Sequence, residues 1–103
     1  MFLLLLTYQG DLAEIDRLLP AHNEYLRRNY EDGTFLMSGP RVPRCGGVIL
    51  AEGEDRARID RIISQDPFVR EGAASYEVVQ WNATRSAVPP RERAVAGASI
   101  QPF

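Results

Sequence analysis

Short apolar runs that end at turn-forming residues predict four β-strands. The first run covers residues 2–8 and ends at Gln-Gly-Asp, and its length and boundary are typical of a strand rather than a helix. The remaining predicted strands cover residues 34–38, 47–52 and 74–83. Gly39-Pro40 is expected to end the second strand, and the connection that follows is too long for a tight hairpin.

Between the first two strands, apolar positions recur at alternating steps of three and four residues, as in an amphipathic helix. The predicted buried stripe consists of Leu12, Ile15, Leu19, His22 and Leu26. An aspartate at position 11 is suited to cap the start of this helix, and the glycine at position 33 is suited to its left-handed end. The proline at position 20 lacks an amide donor, so we expect a kink or two abutting helical pieces near Leu19.

A second helix is predicted to open at Glu54 or Asp55 and to end near Gln65, because residue 66 precedes a proline. Asp66 is suited to cap a short helical turn that has Pro67 at its first position and a closing glycine at position 72. The predicted buried face of the second helix carries Ala57, Ile59, Ile62 and Ile63.

The resulting order, β-α-β-β-α-β, predicts an α+β fold of the ferredoxin-like type. Right-handed crossovers then give a four-stranded antiparallel sheet with two helices on one face. Residues 1–85 form this predicted domain. Residues 86–103 contain three prolines and no clear periodicity, so we expect an extended or partly disordered C-terminal arm.

The predicted strands are apolar on both faces, which indicates a second copy of the chain as a partner. Leu3 and Leu5 point away from Leu4 across the first strand, yet all three are apolar. Two helices cover only one face of a sheet, and soluble monomers rarely expose a large apolar patch. We therefore expect a homodimer with sheets packed face to face.

Composition narrows the classes of partner. The chain has 103 residues, which is one domain's worth, with 45% hydrophobic and 25% charged residues, as in average soluble proteins. The 14 acidic and 12 basic side chains show no basic face, so no nucleic-acid partner is expected. All the basic residues are arginine, which excludes lysine Schiff-base chemistry.

The chain is not expected to contact a membrane. The opening apolar run lacks a basic flank and a cleavage site, so it indicates a buried strand rather than a signal peptide. No apolar run approaches the ~20 residues that cross a bilayer. Cys45 is the only cysteine, which excludes an intrachain disulfide and a multi-cysteine zinc site, and a reducing, cytoplasmic location is expected.

Two residues are candidates for catalytic chemistry. His22 is the only histidine and lies on the inward helical stripe, where a histidine is more often a core residue with one hydrogen bond than a catalyst. Asp66 already has a structural role as a helix cap. Contact between the two would change both interpretations, and side-by-side helices in this fold would allow that contact.

Several motifs together resemble the YciI-like, or YCII-related, family from residue 1 to about residue 81. They are Pro20-Ala21-His22, Tyr25-Leu26, Gly33, Ser38-Gly39-Pro40, Asp66-Pro67-Phe68, Gly72 and Tyr76-Glu77-Val78. The resemblance implies a dimeric α+β barrel of ferredoxin-like protomers with an active site built on a histidine–aspartate pair. His22 matches the family's helical histidine, and Asp66 matches its Asp-Pro aspartate.

This resemblance implies general acid–base catalysis without a cofactor, either elimination or isomerisation, on a small cyclic or aromatic metabolite. A carboxylate that accepts from one imidazole nitrogen orients the ring and leaves the other nitrogen to exchange a proton. Family members often have arginine immediately before the Pro-x-His motif, where this chain has Leu19. The identity of the substrate is therefore not transferred.

Four further residues are candidates for substrate binding, each with a plainer structural interpretation. Ser38 either donates a hydrogen bond near the pair or simply enters a Gly-Pro turn. Arg41 and Arg44 either receive an anionic substrate or are solvated loop residues. Tyr8 either lines the pocket or closes the core.

Three other functions remain open at this point. The first alternative is a non-catalytic, metabolite-binding or regulatory homodimer that uses the same pocket. A haem protein would use His22 as an axial ligand, but nothing else indicates a haem pocket. A metal site at His22 and Asp66 would have two ligands, fewer than the usual three or four. We therefore expect no metal and no cofactor.

Overall fold

Four strands and two longer helices follow one another in the predicted order, and a short third helix precedes the last strand. The computed structural model describes residues 1–87, so nearly all of the predicted C-terminal arm lies outside the described residues. The elements are β1 (Phe2–Tyr8), α1 (Leu12–Glu31), β2 (Phe35–Pro40), β3 (Gly46–Ala51), α2 (Arg56–Ser64), α3 (Pro67–Arg70) and β4 (Ala74–Gln80).

The strands form one sheet in the order β2-β3-β1-β4, and every neighbouring pair is antiparallel. In the register of the sheet, Leu4 of β1 lies between Ile49 of β3 and Val78 of β4. Leu4 and Ile49 share one buried cluster with Leu26 of α1 and Ile59 of α2. Both long helices therefore cover the same face of the sheet, which is the predicted ferredoxin-like arrangement.

Helix α1 begins and ends as predicted, but Pro20 does not divide it. The Asp11 carboxylate accepts a hydrogen bond from the Glu14 amide at 2.9 Å, and Gly33 has a φ of 84° just after the helix. The helix runs unbroken through Pro20, whose ring lies on the exposed side. The prediction of two abutting helical pieces was therefore wrong.

The buried stripe of α1 differs slightly from the predicted one. Leu18 is buried, Leu19 is only partly buried, and Leu12 is 45% exposed. At 100° per residue, the stripe through Ile15, Leu18 and His22 leaves Leu12 and Leu19 at its margin. The spacing identified the correct side of the helix, including His22, but not the centre of the stripe.

The predicted start of α2 is confirmed, because Asp55 caps the helix through its carboxylate. Ile59 and Ile62 are buried as predicted, whereas Ala57 is exposed, so its place on the buried face was wrong. The predicted end of the second strand was also wrong, because β2 continues to Pro40. A proline is tolerated there because β2 is an edge strand.

The last strand is shorter than predicted, and its end marks the limit of the sheet. β4 ends at Gln80, after which the amide of Trp81 donates to the carbonyl of Met1 at 3.0 Å.

None of the helices within residues 1–87 is long and apolar enough to cross a membrane.

The face of the sheet opposite the helices is also apolar. Leu3 lies between Leu50 and Val79 in the register, and Leu5 lies beside Val48. Val79 is 40% exposed, and the other four side chains are partly buried. We call these five residues the outer apolar face. The homodimer expected through this face stays a prediction.

Candidate functional site

The structure brings His22 and Asp66 into direct contact. His22 lies in the middle of α1, and Asp66 is the residue immediately before α3. Nδ1 of His22 lies 2.9 Å from Oδ1 of Asp66, across 44 residues of sequence, and both side chains are completely buried. The contact that the sequence only permitted is therefore present.

The position of Asp66 follows from its role as a helix cap. Its backbone is extended, with φ −66° and ψ 124°, and Pro67 begins the helix. Oδ1 of Asp66 accepts a hydrogen bond from the amide of Phe68 at 2.9 Å. This local bond places Oδ1 at the start of the helix, and the same oxygen faces the ring of His22.

The other carboxylate oxygen is bound by a residue from the sheet. The hydroxyl of Tyr76, on β4, donates to Oδ2 of Asp66 at 2.5 Å. Asp66 therefore has His22, the Phe68 amide and Tyr76 around one carboxylate. A buried charged group is tolerated only when its hydrogen-bonding capacity is used in this way.

A fully buried tyrosine, Tyr25, and a partly buried one, Tyr76, lie beside the carboxylate. Burial raises the pKa of Tyr76 well above its ordinary value, and the neighbouring Tyr25 and Asp66 raise it further. Burial also raises the pKa of Tyr25, and the charge of Asp66 adds to that shift. Both phenols therefore remain protonated across the physiological pH range, so Tyr76 acts as a donor to Asp66.

Aromatic rings hold the imidazole in its plane. The ring of Phe68 is stacked on His22 with a centroid distance of 4.1 Å and an interplanar angle of 14°. Tyr25 lies on α1 one turn away, with its ring centroid 5.8 Å from that of His22. Because the Phe68 amide also bonds to Asp66, the short helix α3 positions both the carboxylate and the stacking ring.

The hydrogen-bond partner of Nδ1 determines what the imidazole can do chemically. A carboxylate only accepts hydrogen bonds, so the hydrogen of a neutral His22 ring belongs on Nδ1. Nε2 then carries the lone pair and can accept a proton, and in the imidazolium form it can return one. The arrangement of His22 and Asp66 is thus suited to general acid–base chemistry.

Of the candidate binding residues, Tyr8 and Arg44 lie next to this cluster. The Tyr8 ring meets the Phe68 ring edge-on at a centroid distance of 5.8 Å. Burial raises the pKa of Tyr8, although the adjacent Arg44 opposes that shift. Arg44 also forms an ion pair with Asp16 of α1. Tyr8 therefore contacts the aromatic wall of the site, and Arg44 lies at its exposed side.

Ser38 and Arg41 contact other parts of the molecule. The hydroxyls of Ser38 and Tyr30 lie 2.5 Å apart, on β2 and near the end of α1. Strand β2 forms the sheet edge opposite β4, which carries Tyr76. The guanidinium of Arg41 donates to the hydroxyl of Thr7 at 3.3 Å.

Sequence reasoning did not assign a role to Tyr76, Tyr25 or Phe68 in this site. One signal was available for Tyr76. Residues two apart on a strand share a face, so Tyr76 lies on the same inward face of the last strand as Val78. An inward tyrosine requires a partner for its hydroxyl. The sequence did not show that the partner is Asp66.

The described residues offer no ready metal centre. Within residues 1–87, no group of three or more histidine, cysteine, aspartate or glutamate side chains is arranged to hold a metal ion. Cys45 is exposed on the loop between β2 and β3.

Comparison with known proteins gives a family and a structural neighbour. The sequence model of the YCII-related domain matches residues 1–82, in agreement with the motifs. A similar solved structure is 5-chloro-2-hydroxyhydroquinone dehydrochlorinase from Burkholderia phenoliruptrix, in complex with 2,5-dihydroxybenzoquinone. Its TM-score is 0.62 at 20% sequence identity, and the alignment covers 80% of this chain and 94% of the dehydrochlorinase. This likeness shows a shared fold. No curated protein sequence matches this chain.

Proposed function

Because the chain belongs to the YCII-related domain family, we propose that it is a small enzyme that acts on an aromatic or cyclic metabolite. In this proposal His22 is the general acid–base, and Asp66 orients it and stabilises its charged form. The observation that carries the proposal is the 2.9 Å contact between His22 Nδ1 and the Asp66 carboxylate. No metal and no cofactor take part.

Elimination and isomerisation both suit one imidazole. An elimination removes a proton from one substrate atom while a leaving group departs with its electron pair from a neighbouring atom. An isomerisation removes a proton from one atom and returns it to another. Each reaction needs a group that accepts a proton and later releases it near neutral pH, which is the chemistry of Nε2 in an oriented histidine.

The aromatic surroundings of His22 support a flat substrate. Phe68 and Tyr25 pack against the imidazole, and Tyr8 extends this wall toward the exposed Arg44. The dehydrochlorinase with the same fold is named for a chlorinated hydroxyhydroquinone and was solved with a dihydroxyquinone. We therefore propose small hydroxylated rings as the substrate class, with Arg44 receiving an anionic substituent.

The burial of His22 adds a requirement to this proposal. A substrate reaches Nε2 only when the side chains around the imidazole move apart, since the ring is fully enclosed. Such opening motions are common in enzymes and exclude water from the reaction when they reverse.

The proposal is tested by incubating the protein with 5-chloro-2-hydroxyhydroquinone and related chlorinated hydroquinones while chloride release is measured. We expect turnover by the wild type and a loss of at least about 100-fold in His22→Gln. Arg28→Gln, an exposed change on the same helix, is the control and should retain wild-type turnover. Binding of 2,5-dihydroxybenzoquinone without turnover of any ring would favour the alternative, a metabolite-binding homodimer.

We also propose that the outer apolar face joins two copies of the chain. Sedimentation should give a dimer for the wild type and a monomer for Val79→Arg, because a buried unpaired arginine opposes association. Leu12→Arg is a matched control, since Leu12 is similarly exposed but lies on the helical side. A monomeric wild type, or a dimeric Val79→Arg protein, would contradict this assembly.

A further inference from the structure

We infer that Tyr76 is a positioning residue whose hydroxyl holds the Asp66 carboxylate in the orientation that keeps the imidazole hydrogen of His22 on Nδ1. This inference rests on the proposed function, in which Nε2 is the nitrogen that exchanges protons with the substrate. Tyr76 acts through Asp66.

The two oxygens of Asp66 have different partners. Oδ1 is shared by Nδ1 of His22 and the Phe68 amide, both at 2.9 Å. Oδ2 receives the hydroxyl of Tyr76 at 2.5 Å. Rotation of the carboxylate about its terminal torsion would break this division of partners. The bond from Tyr76 therefore opposes rotation and keeps Oδ1 directed at the imidazole.

The tyrosine is itself held by the sheet. Tyr76 pairs with Leu6 in the register of β1 and β4, and it packs against two buried clusters, one that contains Leu4 and one that contains Leu6 and Phe68. Its hydroxyl thus has a location fixed by β4, whereas His22 is carried by α1. Asp66 bonds to Tyr76 on the sheet and to His22 on the helix. The position of the sheet therefore helps to determine the position of the imidazole.

The direction of the hydrogen bond supports the same conclusion. An ionised carboxylate accepts only, so the phenol of Tyr76 must donate. Burial keeps the pKa of Tyr76 well above its ordinary value, so this donor is retained throughout the pH range in which a histidine titrates.

The test compares Tyr76→Phe with Tyr30→Phe by nitrogen NMR of the single histidine. Tyr30 is a matched control because its hydroxyl bonds to Ser38 instead of Asp66. In the wild type and in Tyr30→Phe, we expect the neutral ring to carry its hydrogen almost entirely on Nδ1. In Tyr76→Phe, the population with hydrogen on Nε2 should rise about tenfold, because the carboxylate has lost the bond that opposes its rotation and can turn Oδ1 away from Nδ1.

A tyrosine that merely fills space would leave the tautomer unchanged. Identical ring spectra for folded Tyr76→Phe and Tyr30→Phe would therefore overturn the inference. If Tyr76→Phe does not fold, the wild type decides the question. A slowly exchanging, downfield hydroxyl proton assigned to Tyr76 supports donation to Asp66, and a rapidly exchanging hydroxyl overturns it.

These results are independent of turnover. A shifted tautomer in Tyr76→Phe, together with no chloride release by the wild type, would reject the proposed elimination but keep the positioning role. Chloride release that depends on His22, together with an unchanged tautomer in Tyr76→Phe, would reject the positioning role but keep the proposed function.

Discussion

Three aspartates begin helices in this fold, and only one of them is buried. Asp11 and Asp55 accept hydrogen bonds from helix amides and are exposed to solvent. Asp66 accepts the same kind of bond from Phe68, yet it is completely buried and also contacts His22 and Tyr76. The backbone role is the same in all three cases, and the surroundings differ.

The difference shows how a local structural role can be combined with chemistry. A cap uses one or two bonds to amides nearby, and water satisfies the rest of an exposed carboxylate. At Asp66, the remaining capacity is used by residues 44 and 10 positions away in the sequence. Removing the carboxylate there also leaves buried donors unsatisfied, which costs far more than a lost cap.

The largest expected effect is that of Asp66→Ala. This change leaves the imidazole of His22 and the hydroxyl of Tyr76 buried without their acceptor, so we expect a loss of about 3–5 kcal/mol in the free energy of unfolding. Asp55→Ala removes only a cap and should cost about 1 kcal/mol. Urea denaturation followed by circular dichroism measures both. Equal losses would remove the distinction between the buried and exposed caps.

A smaller and more selective effect is expected from asparagine. Asparagine caps helices as well as aspartate does, so Asp55→Asn should change the unfolding free energy by no more than about 0.5 kcal/mol. Asp66→Asn keeps the cap through Oδ1, but it removes the charge opposite His22 and puts an amide nitrogen where the hydroxyl hydrogen of Tyr76 had its acceptor, so it should cost about 1–3 kcal/mol. The same denaturation experiment applies. A neutral Asp66→Asn variant would mean that capping is the main role of this residue.

High pH should weaken the cluster around Asp66. The folded-state pKa values of Tyr25 and Tyr76 are raised by burial, so the folded state holds their protons more tightly than the unfolded chain, in which tyrosine has a pKa of about 10. The resulting stability is fully present below about pH 10 and is lost at about 1.4 kcal/mol per pH unit for each group above it.

The control for this pH dependence is the double variant Tyr25→Phe, Tyr76→Phe. Its unfolding free energy should fall less steeply between about pH 10 and 11 than that of the wild type, because two buried phenols no longer ionise on unfolding. Urea midpoints measured across this range decide the matter. If the unfolding free energies of the two proteins fall equally steeply with pH, other groups govern the loss of stability.

A smaller effect than that of either substitution at Asp66 is expected at Asp11. Asp11→Ala removes one hydrogen bond to the Glu14 amide at the exposed start of α1, and should cost about 0.5–1 kcal/mol. The NMR signals of the His22 ring should not move, since the helix packing around His22 is unchanged. A displaced His22 signal would show that an exposed cap and the buried cluster are coupled.

Signals that operate over a few residues allowed much of the fold to be predicted from the sequence. Each helix start can be recognised from a few adjacent residues. The structure has all three predicted starts, at Asp11, Asp55 and Asp66-Pro67. The phase of the α1 stripe was less accurate, because Leu12 and Leu19 are as apolar as Leu18 and only packing distinguishes them. The continuation of β2 through Pro40 depended on its place at the edge of the sheet.

The candidate site was predictable only in part, for a related reason. The helical position of His22 and the Asp-Pro motif at Asp66 are local features, and the family motifs indicated that they form a pair. The bond from Tyr76 to Asp66 depends on the register between β4 and β1, which no short segment specifies.

The long sequence separation between His22 and Asp66 has a consequence for how the protein folds. Contacts between distant segments form only after the intervening chain has closed into a loop, and their entropic cost slows folding. Helix α1, two strands and α2 must all be in place before the imidazole meets its carboxylate. The histidine signal in a refolding experiment should therefore reach its native value no earlier than the pairing of β2 with β3, whose partners lie only 7 to 16 residues apart, which makes this ring a reporter of long-range assembly.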